Sequence, residues 1–471
     1  MSGLTAGAAV PLTGGVLYGE AAAAWAGCAI DSRALTPGML FVALPGARTD
    51  GRRFIGAAFA AGAAAVLSGP TTERPPAGRA LIAAADPFAA MQELARARRA
   101  FLRARVVAVT GSSGKTTTKD LTAAVLAVRW RTHKSEGNHN NEIGLPLTVL
   151  NAPAGTEMLV LEMGMRGPGQ IAALCRVCPP DVGVLTNIGA AHMEMLGSQE
   201  NIARAKWELM DNLTPDGLAV LNAEDEWCAA LGDRRSGAKI YYGTAGRYTR
   251  PAVRAVSWRP APGAGLSTLL RVTAEEGGRR EEAEVTLPLA GEHNVLDALA
   301  ALSAGRRCGV SLAAGAAALA TARISAGRLE IFAGESGSTI IDDTYNANPV
   351  SMLASLRVLA ERSGRQTIAV LGDMYELGAA EAEQHRRAGA AAAALGVGRL
   401  VGTGELGALI SAGALAAGMA PAAVSSCRDA SAALATVRRI LKEELPGAWV
   451  LVKGSRKMGM EEISRGLTKT M

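Results

Sequence analysis

The sequence predicts an α/β protein built from more than one parallel-sheet unit, and three observations carry that prediction. From residue 105 onward, apolar runs of strand length ("RVVAVT", "MLVLEM", "VGVLTN", "LAVLN") alternate with helix-length segments, the pattern of a parallel sheet covered by helices. A second alternating series ("STIIDD", "TIAVLGD", "RLVGTG", "WVLVKGS") starts near residue 329, with Ala-rich helices between its strands. The length of 471 residues suits about two to four domains.

Taken in order, residues 1–98 hold short apolar runs ("MLFVAL", "AAVLSG") punctuated by "TPG", "LPG" and "TDG", then a helical stretch "DPFAAMQELARARRAFLRAR". They read as a small α/β domain ending in a connecting helix. Residues 99–324 form the central domain. After "KIYYG" it carries period-two stretches and turns, "SWRPAPGAGLSTLLRVTAEEGGRREEAEVTLPLAG", that predict an antiparallel flap, and then a helix, "HNVLDALAALSAGRRCGV". Residues 325–471 form the third domain.

Composition narrows the function. The chain is 49% hydrophobic and 20% charged, a globular profile, with no apolar stretch long enough to span a membrane and no basic leader before an apolar core; a cytoplasmic location is expected. The net charge of +6 comes from scattered arginines and only 4% of residues are aromatic, so attraction to anionic small substrates is expected rather than nucleic-acid binding. The six cysteines make no disulfide framework, and "CRVC" at 175–178, a lone pair at the end of an apolar helix, reads as buried thiols.

The chemistry centres on "GSSGKTT" at 111–117, which follows a strand and opens a helix. In that context backbone N–H groups and a helix N-terminus face an anion. Gly111 and Gly114 permit the tight backbone, Lys115 reaches terminal phosphates, and Thr116 can coordinate Mg²⁺. Two residues separate the glycines, so this is a shortened P-loop. Glu162, at the end of the strand in "MLVLEMG", is placed to complete a metal site. His192, in the loop of "VLTNIGAAHMEMLGS", is either a ligand for a second metal or a solvated loop histidine. In "NIARAKWELMDNL", Lys206 shares the helix face of Ile202, Leu209 and Leu213; it either snorkels or is held inward because its amine is modified or paired, and periodicity does not choose between them.

These motifs, with "GEHNVLDALAA" and "GRLE", resemble in order those of the Mur ligase family, the ATP-dependent amide-forming enzymes of bacterial cell-wall synthesis. The resemblance spans essentially the whole chain. Within the family, "IDSRALTPGMLFVALPGARTDG", "EGNHNNEIGLPLTVL", "IIDDTYNANPVSM", "VLGDMYELG" and "VLVKGSRKMGMEEI" are similar to the branch that adds D-alanyl-D-alanine to UDP-N-acetylmuramoyl-tripeptide. The implied fold is the three-domain Mur ligase architecture, with a UDP-sugar-binding N-terminal domain, a central P-loop parallel sheet and a C-terminal Rossmann-like ligase domain. The implied reaction phosphorylates the substrate's terminal carboxylate with ATP, and the dipeptide amine then attacks the acyl phosphate.

The resemblance also implies roles. Gly111, Ser112, Ser113, Gly114, Lys115, Thr116 and Thr117 would hold the ATP phosphates, Asn294 would meet adenine, and Arg328 would reach ATP from the junction with the third domain. Thr116 and Glu162 would hold one Mg²⁺; His192 and a carbamylated Lys206 would serve a second. Ser32 and Arg33 would meet the uridine diphosphate, Asn138, Asn140 and Asn141 the peptide and phosphate region, and Asp343, Tyr345, Asn346 and Asn348 the dipeptide side. "DSR" and "NANP" are also good turn sequences. Lys115, Glu162, His192 and Lys206 would form the catalytic group of a monomer that closes about hinges near 98 and 325. Three positions depart from the family pattern: Ser113 where Asn is usual, Asp297 in place of the second Asn of "HNxxN", and Arg52 in place of His. A P-loop ATPase or kinase that forms no amide is the alternative from another class.

Overall fold

The computed structural model describes residues 4–46, 49–189, 193–262, 265–362 and 366–468. Three sheets organise it. In the first, strands Cys28–Ala29, Leu40–Ala43, Ala65–Ser68 and Ala80–Ala83 run parallel, and Val16–Gly19 closes the far edge antiparallel. The second has nine strands. Arg105–Thr110 lies between Met158–Glu162 and Val182–Leu185, and all three run parallel. Leu218–Asn222, Lys239–Gly243 and the flap strands Val253–Pro260, Thr268–Glu276 and Arg279–Leu287 extend one side, with the flap pairing antiparallel as its alternation predicts.

The third sheet orders Glu330–Ala333, Thr339–Asp342, Trp449–Lys453, Thr367–Gly372, Arg399–Thr403 and Val424–Cys427, parallel except for the first strand. The inner strands of the central and third sheets are continuous apolar runs because helices cover both faces: Met158–Glu162 and Trp449–Lys453 are buried at every position. Thr132–Lys134 and Val424–Cys427 are further edge strands, short and half polar, which left them below the threshold of an apolar pattern.

The P-loop helix Lys115–Ala127 packs against Glu292–Arg307 on one face of the central sheet. A side chain at Gly305 would collide with Val125, so glycine sets how closely these helices approach. On the other face, the connecting helix Pro87–Leu102 buries Met91, Leu94 and Ala95 in one core shared with Leu40 and Leu67 of the first sheet and Leu145, Val149 and Leu159 of the central unit. Asn151 adds a polar tie there: its carboxamide accepts the Cys28 N–H at 2.9 Å and donates to the Cys28 carbonyl at 3.0 Å. A hinge near 98 would have to break a continuous helix and this core. The chain near 325 is different, a non-helical connection between helix Leu312–Leu319 and strand Glu330–Ala333. The third unit also touches the flap, where Leu266 and Ala290 join Leu356 and Val358 in one apolar cluster.

The cysteines agree with the expectation. Cys175 and Cys178 end helix Gln170–Val177 as buried free thiols, and burial pushes both up to about 12. No helix among the described residues is long and apolar enough to cross a membrane.

Candidate active site

The strand Arg105–Thr110 delivers the chain into the loop of residues 111–114 with two positive φ angles, 152° at Gly111 and 78° at Gly114. Side chains there would strike the Thr186 hydroxyl and the Asp297 carboxylate respectively, so both glycines are required by contact as well as by conformation. The segment that follows strand Val182–Leu185 pins the loop from the side. Thr186 Oγ1 donates to the Ser113 carbonyl at 2.6 Å, Asn187 Oδ1 accepts the Ser113 N–H at 3.0 Å, and Ser112 Oγ accepts the Gly189 N–H at 2.9 Å. This is the work of the "TNIG" motif in the described residues: it ties the backbone of the phosphate loop in place. His192, from the same motif, lies outside the described residues.

Within the cradle, the Thr116 hydroxyl donates to Glu162 Oε2 at 2.7 Å and Asn140 Nδ2 donates to Glu162 Oε1 at 2.8 Å. Arg328 reaches in from the connection to the third unit, donating to Thr116 Oγ1 at 2.8 Å while its guanidinium lies 4.2 Å from the centre of the Tyr345 ring. Lys115 and Lys206 both donate to the Gly111 carbonyl, at 2.9 and 3.0 Å. Lys206 is buried on the inner face of helix Gln199–Asp211 with Ile202 and Leu209, whereas Leu213 lies past the helix end. Burial, and then the Lys115 charge, hold its amine well below the usual lysine range. Burial also lowers Lys115, opposed by the Glu162 carboxylate and reinforced by Arg328. Two ammonium groups on one carbonyl repel each other, and Lys115 has the Glu162 carboxylate to offset that repulsion, so the downward push falls more heavily on Lys206.

Asp297 lies beneath the loop. It accepts from Thr118 Oγ1 at 2.9 Å, its Oδ2 is buried without a partner among the described residues, and burial pushes its carboxyl up to about 7. Asn294 is buried nearby and donates to the Ala290 carbonyl at 2.7 Å.

Across the cleft, Asp343 stands just beyond strand Thr339–Asp342 and Lys453 ends the neighbouring parallel strand. Lys453, only 2% exposed, donates to Asp343 Oδ2 at 2.6 Å and to the Asn346 carbonyl at 3.0 Å, and Ser355 Oγ donates to the same Asp343 oxygen. The two halves enclose a cleft of about 900 Å³ lined by Ser112 to Thr117, Asn138, Asn140, Asn141, Glu162, Lys206, Asn294, Arg328, Asp343, Tyr345, Asn346 and Asn348. Sequence reasoning did not single out Asn187, Asn222, His293, Lys453 or Arg456, which also line it. For Lys453 a signal was present: a charged residue at the carboxyl end of a parallel strand, where ligands of open α/β sheets bind.

Some expected residues have a local structural role as well. Asn348 caps helix Pro349–Ala360 in a capping box with Ser351, and Asn141 Oδ1 accepts the Gly144 N–H that opens the next helix. Ser32 and Arg33 form a short turn capped by Asp31 on the first sheet, outside this cleft, with Arg33 in an exposed pair to Asp31.

A P-loop whose lysine, threonine and strand-end carboxylate face the charged groups of a second α/β unit defines a nucleotide-using enzyme with its site between domains. The chain belongs to the Mur ligase family: residues 25–103, 109–305 and 327–456 match the profiles described as Mur ligase family catalytic domain, Mur ligase middle domain, and Mur ligase, glutamate ligase domain. It is 38% identical over 449 residues to the UDP-N-acetylmuramoyl-tripeptide--D-alanyl-D-alanine ligase of Bacillus subtilis, covering 94% of this chain and 93% of that one. With the Escherichia coli ligase of the same name the identity is 35%, covering 93% and 92%. Its fold is similar to the crystal structure of MurF from Acinetobacter baumannii, with a TM-score of 0.86 and 28% identity over 99% of this chain and 98% of that one. It is also similar to the Thermotoga maritima MurF ligase in complex with ADP, with a TM-score of 0.79 and 27% identity over 94% and 96%.

Proposed function

We propose that this protein joins D-alanyl-D-alanine to UDP-N-acetylmuramoyl-tripeptide in peptidoglycan precursor synthesis, using ATP and Mg²⁺. The observation that carries the reading is the meeting, in one cleft, of a P-loop centre (Lys115, Thr116, Glu162, Lys206) with a second charged centre (Asp343, Lys453, Tyr345), bridged by Arg328. An ATPase that makes no amide has no use for the second centre.

The chemistry follows from the residue types. A carboxylate oxygen of the tripeptide attacks the γ-phosphorus of ATP, the bond from that phosphorus to the β–γ bridging oxygen breaks, and ADP leaves with its electron pair. The dipeptide amine then attacks the acyl carbon, inorganic phosphate leaves, and the amine proton passes to the departing phosphate or to solvent. Both reactants of the first step are anions, so the residues must neutralise charge and hold the atoms in line. The backbone of residues 111–114 and Lys115 hold the β- and γ-phosphates, and Arg328 places a further cation at Thr116. Asn294 meets adenine, while Asn138, Asn140 and Asn141 hold the peptide side. Asp343, Tyr345, Asn346 and Asn348 shape the pocket for the dipeptide, and Ser32 with Arg33 meets the uridine diphosphate.

The Thr116 hydroxyl and the Glu162 carboxylate are hard oxygen donors 2.7 Å apart, a pair that fits Mg²⁺, which is bound by one or two protein oxygens with phosphates and water completing the shell. When bound, the ion screens phosphate charge. A second ion would use His192 and Lys206; burial favours the uncharged form of the Lys206 amine, and that form can add CO₂ to give a carbamate, releasing a proton and supplying an oxygen ligand. Three functional units, 1–98, 99–324 and 325–471, acting in a cytoplasmic monomer complete the reading.

The test is phosphate release from ATP with UDP-N-acetylmuramoyl-tripeptide, with and without D-alanyl-D-alanine, following the product by mass. Release that requires the dipeptide, with a product heavier by its residue mass, supports the ligase. Release indifferent to both leaves an ATPase.

A further inference from the structure

One buried ionic cluster close to the phosphate loop is not used by the mechanism above. Asp120, on the buried face of helix Lys115–Ala127, has a fully buried carboxylate. Lys134 Nζ donates to its Oδ1 at 2.6 Å, and Lys119 Nζ stands 3.3 Å from the same oxygen while donating to the Ser135 carbonyl. Its Oδ2 turns the other way and accepts both the N–H of Ser325, at 2.9 Å, and the Ser325 hydroxyl, at 2.7 Å. Burial raises the Asp120 carboxyl, but the Lys119 and Lys134 charges and the Ser325 bond outweigh it and hold it below the usual range. The carboxylate is ionised, and its hydrogen bonds to Ser325 are charge-assisted.

Ser325 lies three residues before Arg328, in the connection between the central and third units. The intervening backbone is fixed from the other side, because the Tyr345 N–H donates to the Gly327 carbonyl at 3.1 Å. Leu329, just beyond Arg328, has a positive φ of 54°, an uncommon conformation for a leucine that persists only where neighbours hold it. The path from the phosphate helix through Asp120 to Ser325 and on to Arg328 returns to the same helix at Thr116.

We propose that Asp120 and Ser325 form an interdomain latch, a positioning pair that fixes the connection so that Arg328 reaches Thr116 and the nucleotide phosphates. Asp120 does not touch the reactants; it acts through Arg328. When the latch is made, Arg328 is held at the phosphate loop and the third unit, stacked on it through Tyr345, is held with it. When the latch is released, the connection is free to swing and Arg328 leaves the loop. The proposal deepens the ligase reading and rests on it for the turnover measurement alone, since the geometry concerns nucleotide binding as such.

The test is a double-mutant cycle of Ser325→Ala and Arg328→Ala in the full chain, with Ser325→Thr as the conservative control. Ser325→Ala removes one hydrogen bond to an ion and leaves the Lys119–Asp120–Lys134 cluster intact, so folding is retained and is checked by thermal denaturation. The latch predicts about a tenfold loss of kcat and of ADP affinity by calorimetry, an unchanged KM for the UDP-tripeptide, and recovery in Ser325→Thr. It also predicts that the double variant is no worse than Arg328→Ala, because Ser325 acts only through Arg328 and has nothing left to position once that side chain is gone. Losses that multiply, or a Ser325→Ala protein with wild-type kcat and ADP affinity, overturn the latch. ADP affinity is read without turnover, so the cycle decides on the latch even if the wild-type protein forms no amide, a result that would instead overturn the ligase reading.

Discussion

Asp297 is held under the phosphate loop in an environment that opposes its charge. Folded, its carboxyl titrates at about 7 against an ordinary 3.8, with burial as the main cause. Between those values the folded protein retains a proton that the unfolded chain has released, so this group's contribution to stability is full at acid pH and is lost as pH rises toward 7. Asp297→Asn removes the titration. The stability of the variant relative to wild type is expected to improve by about 3 kcal/mol from about pH 5 to about pH 8, read by denaturant unfolding of the nucleotide-free proteins; a constant difference across that range contradicts the assignment. Glu162 accepts from the Thr116 hydroxyl and the Asn140 amide, and a glutamine of the same shape keeps an accepting oxygen for Thr116, its N–H meeting the Asn140 carboxamide once that group turns over, while losing the charge that a cation needs. Glu162→Gln is therefore expected to lower kcat by about a hundredfold or more with little change in stability, checked by phosphate release beside a melting curve. For Lys206, burial that disfavours the charged amine predicts a carbamate signal on equilibration with ¹³C-bicarbonate that is absent in Lys206→Arg. The Lys206 periodicity was legible in the sequence, but its partner, the Gly111 carbonyl, was not, because that contact spans 95 residues.

Among the elements, those with uninterrupted apolar runs were readable from sequence, since strands such as Met158–Glu162 are buried on both faces and leave no polar alternation to confuse the pattern. Edge strands were not. Cys28–Ala29 has two residues and Thr132–Lys134 three, and what fixes the first is a side chain from another unit, Asn151. Removing that side chain leaves the Cys28 N–H and carbonyl without their partner, at a cost of about 1–3 kcal/mol. Asn151→Ala is therefore expected to lower the melting temperature by several degrees while the P-loop, which Asn151 does not touch, keeps its ADP affinity. The "TNIG" segment shows the same limit for the site. Its order in the chain marked it as functional, whereas its grip on Ser112 and Ser113 is a loop-to-loop contact that only the folded sheet brings about.

For the whole molecule, the distribution of cores says where it can move. The first and central units share one apolar core across the helix Pro87–Leu102, while the central and third units share no core of that size and meet through smaller contacts that include Leu266 and Ala290 with Leu356 and Val358, helix Met193–Leu196 with the turn Gly378–Ala380, Arg328, and the latch at Ser325. Closure is thus expected at the 325 junction, with the first two units moving as one, and closure serves to exclude water from an acyl phosphate. Small-angle scattering is expected to show a smaller radius of gyration with ATP and UDP-tripeptide than without; an unchanged radius contradicts this. The order of motifs made the three units legible, but the cleft between the second and third depends on how two sheets face each other, which no local pattern encodes. The central claim, that the γ-phosphoryl group passes to a peptide carboxylate, is tested most directly by isotope transfer. With both oxygens of the tripeptide's terminal carboxylate labelled as ¹⁸O, turnover with D-alanyl-D-alanine is predicted to place one ¹⁸O in each inorganic phosphate released and leave the other in the new amide. Phosphate that carries no label from the substrate, and takes its oxygen from water instead, would contradict the account.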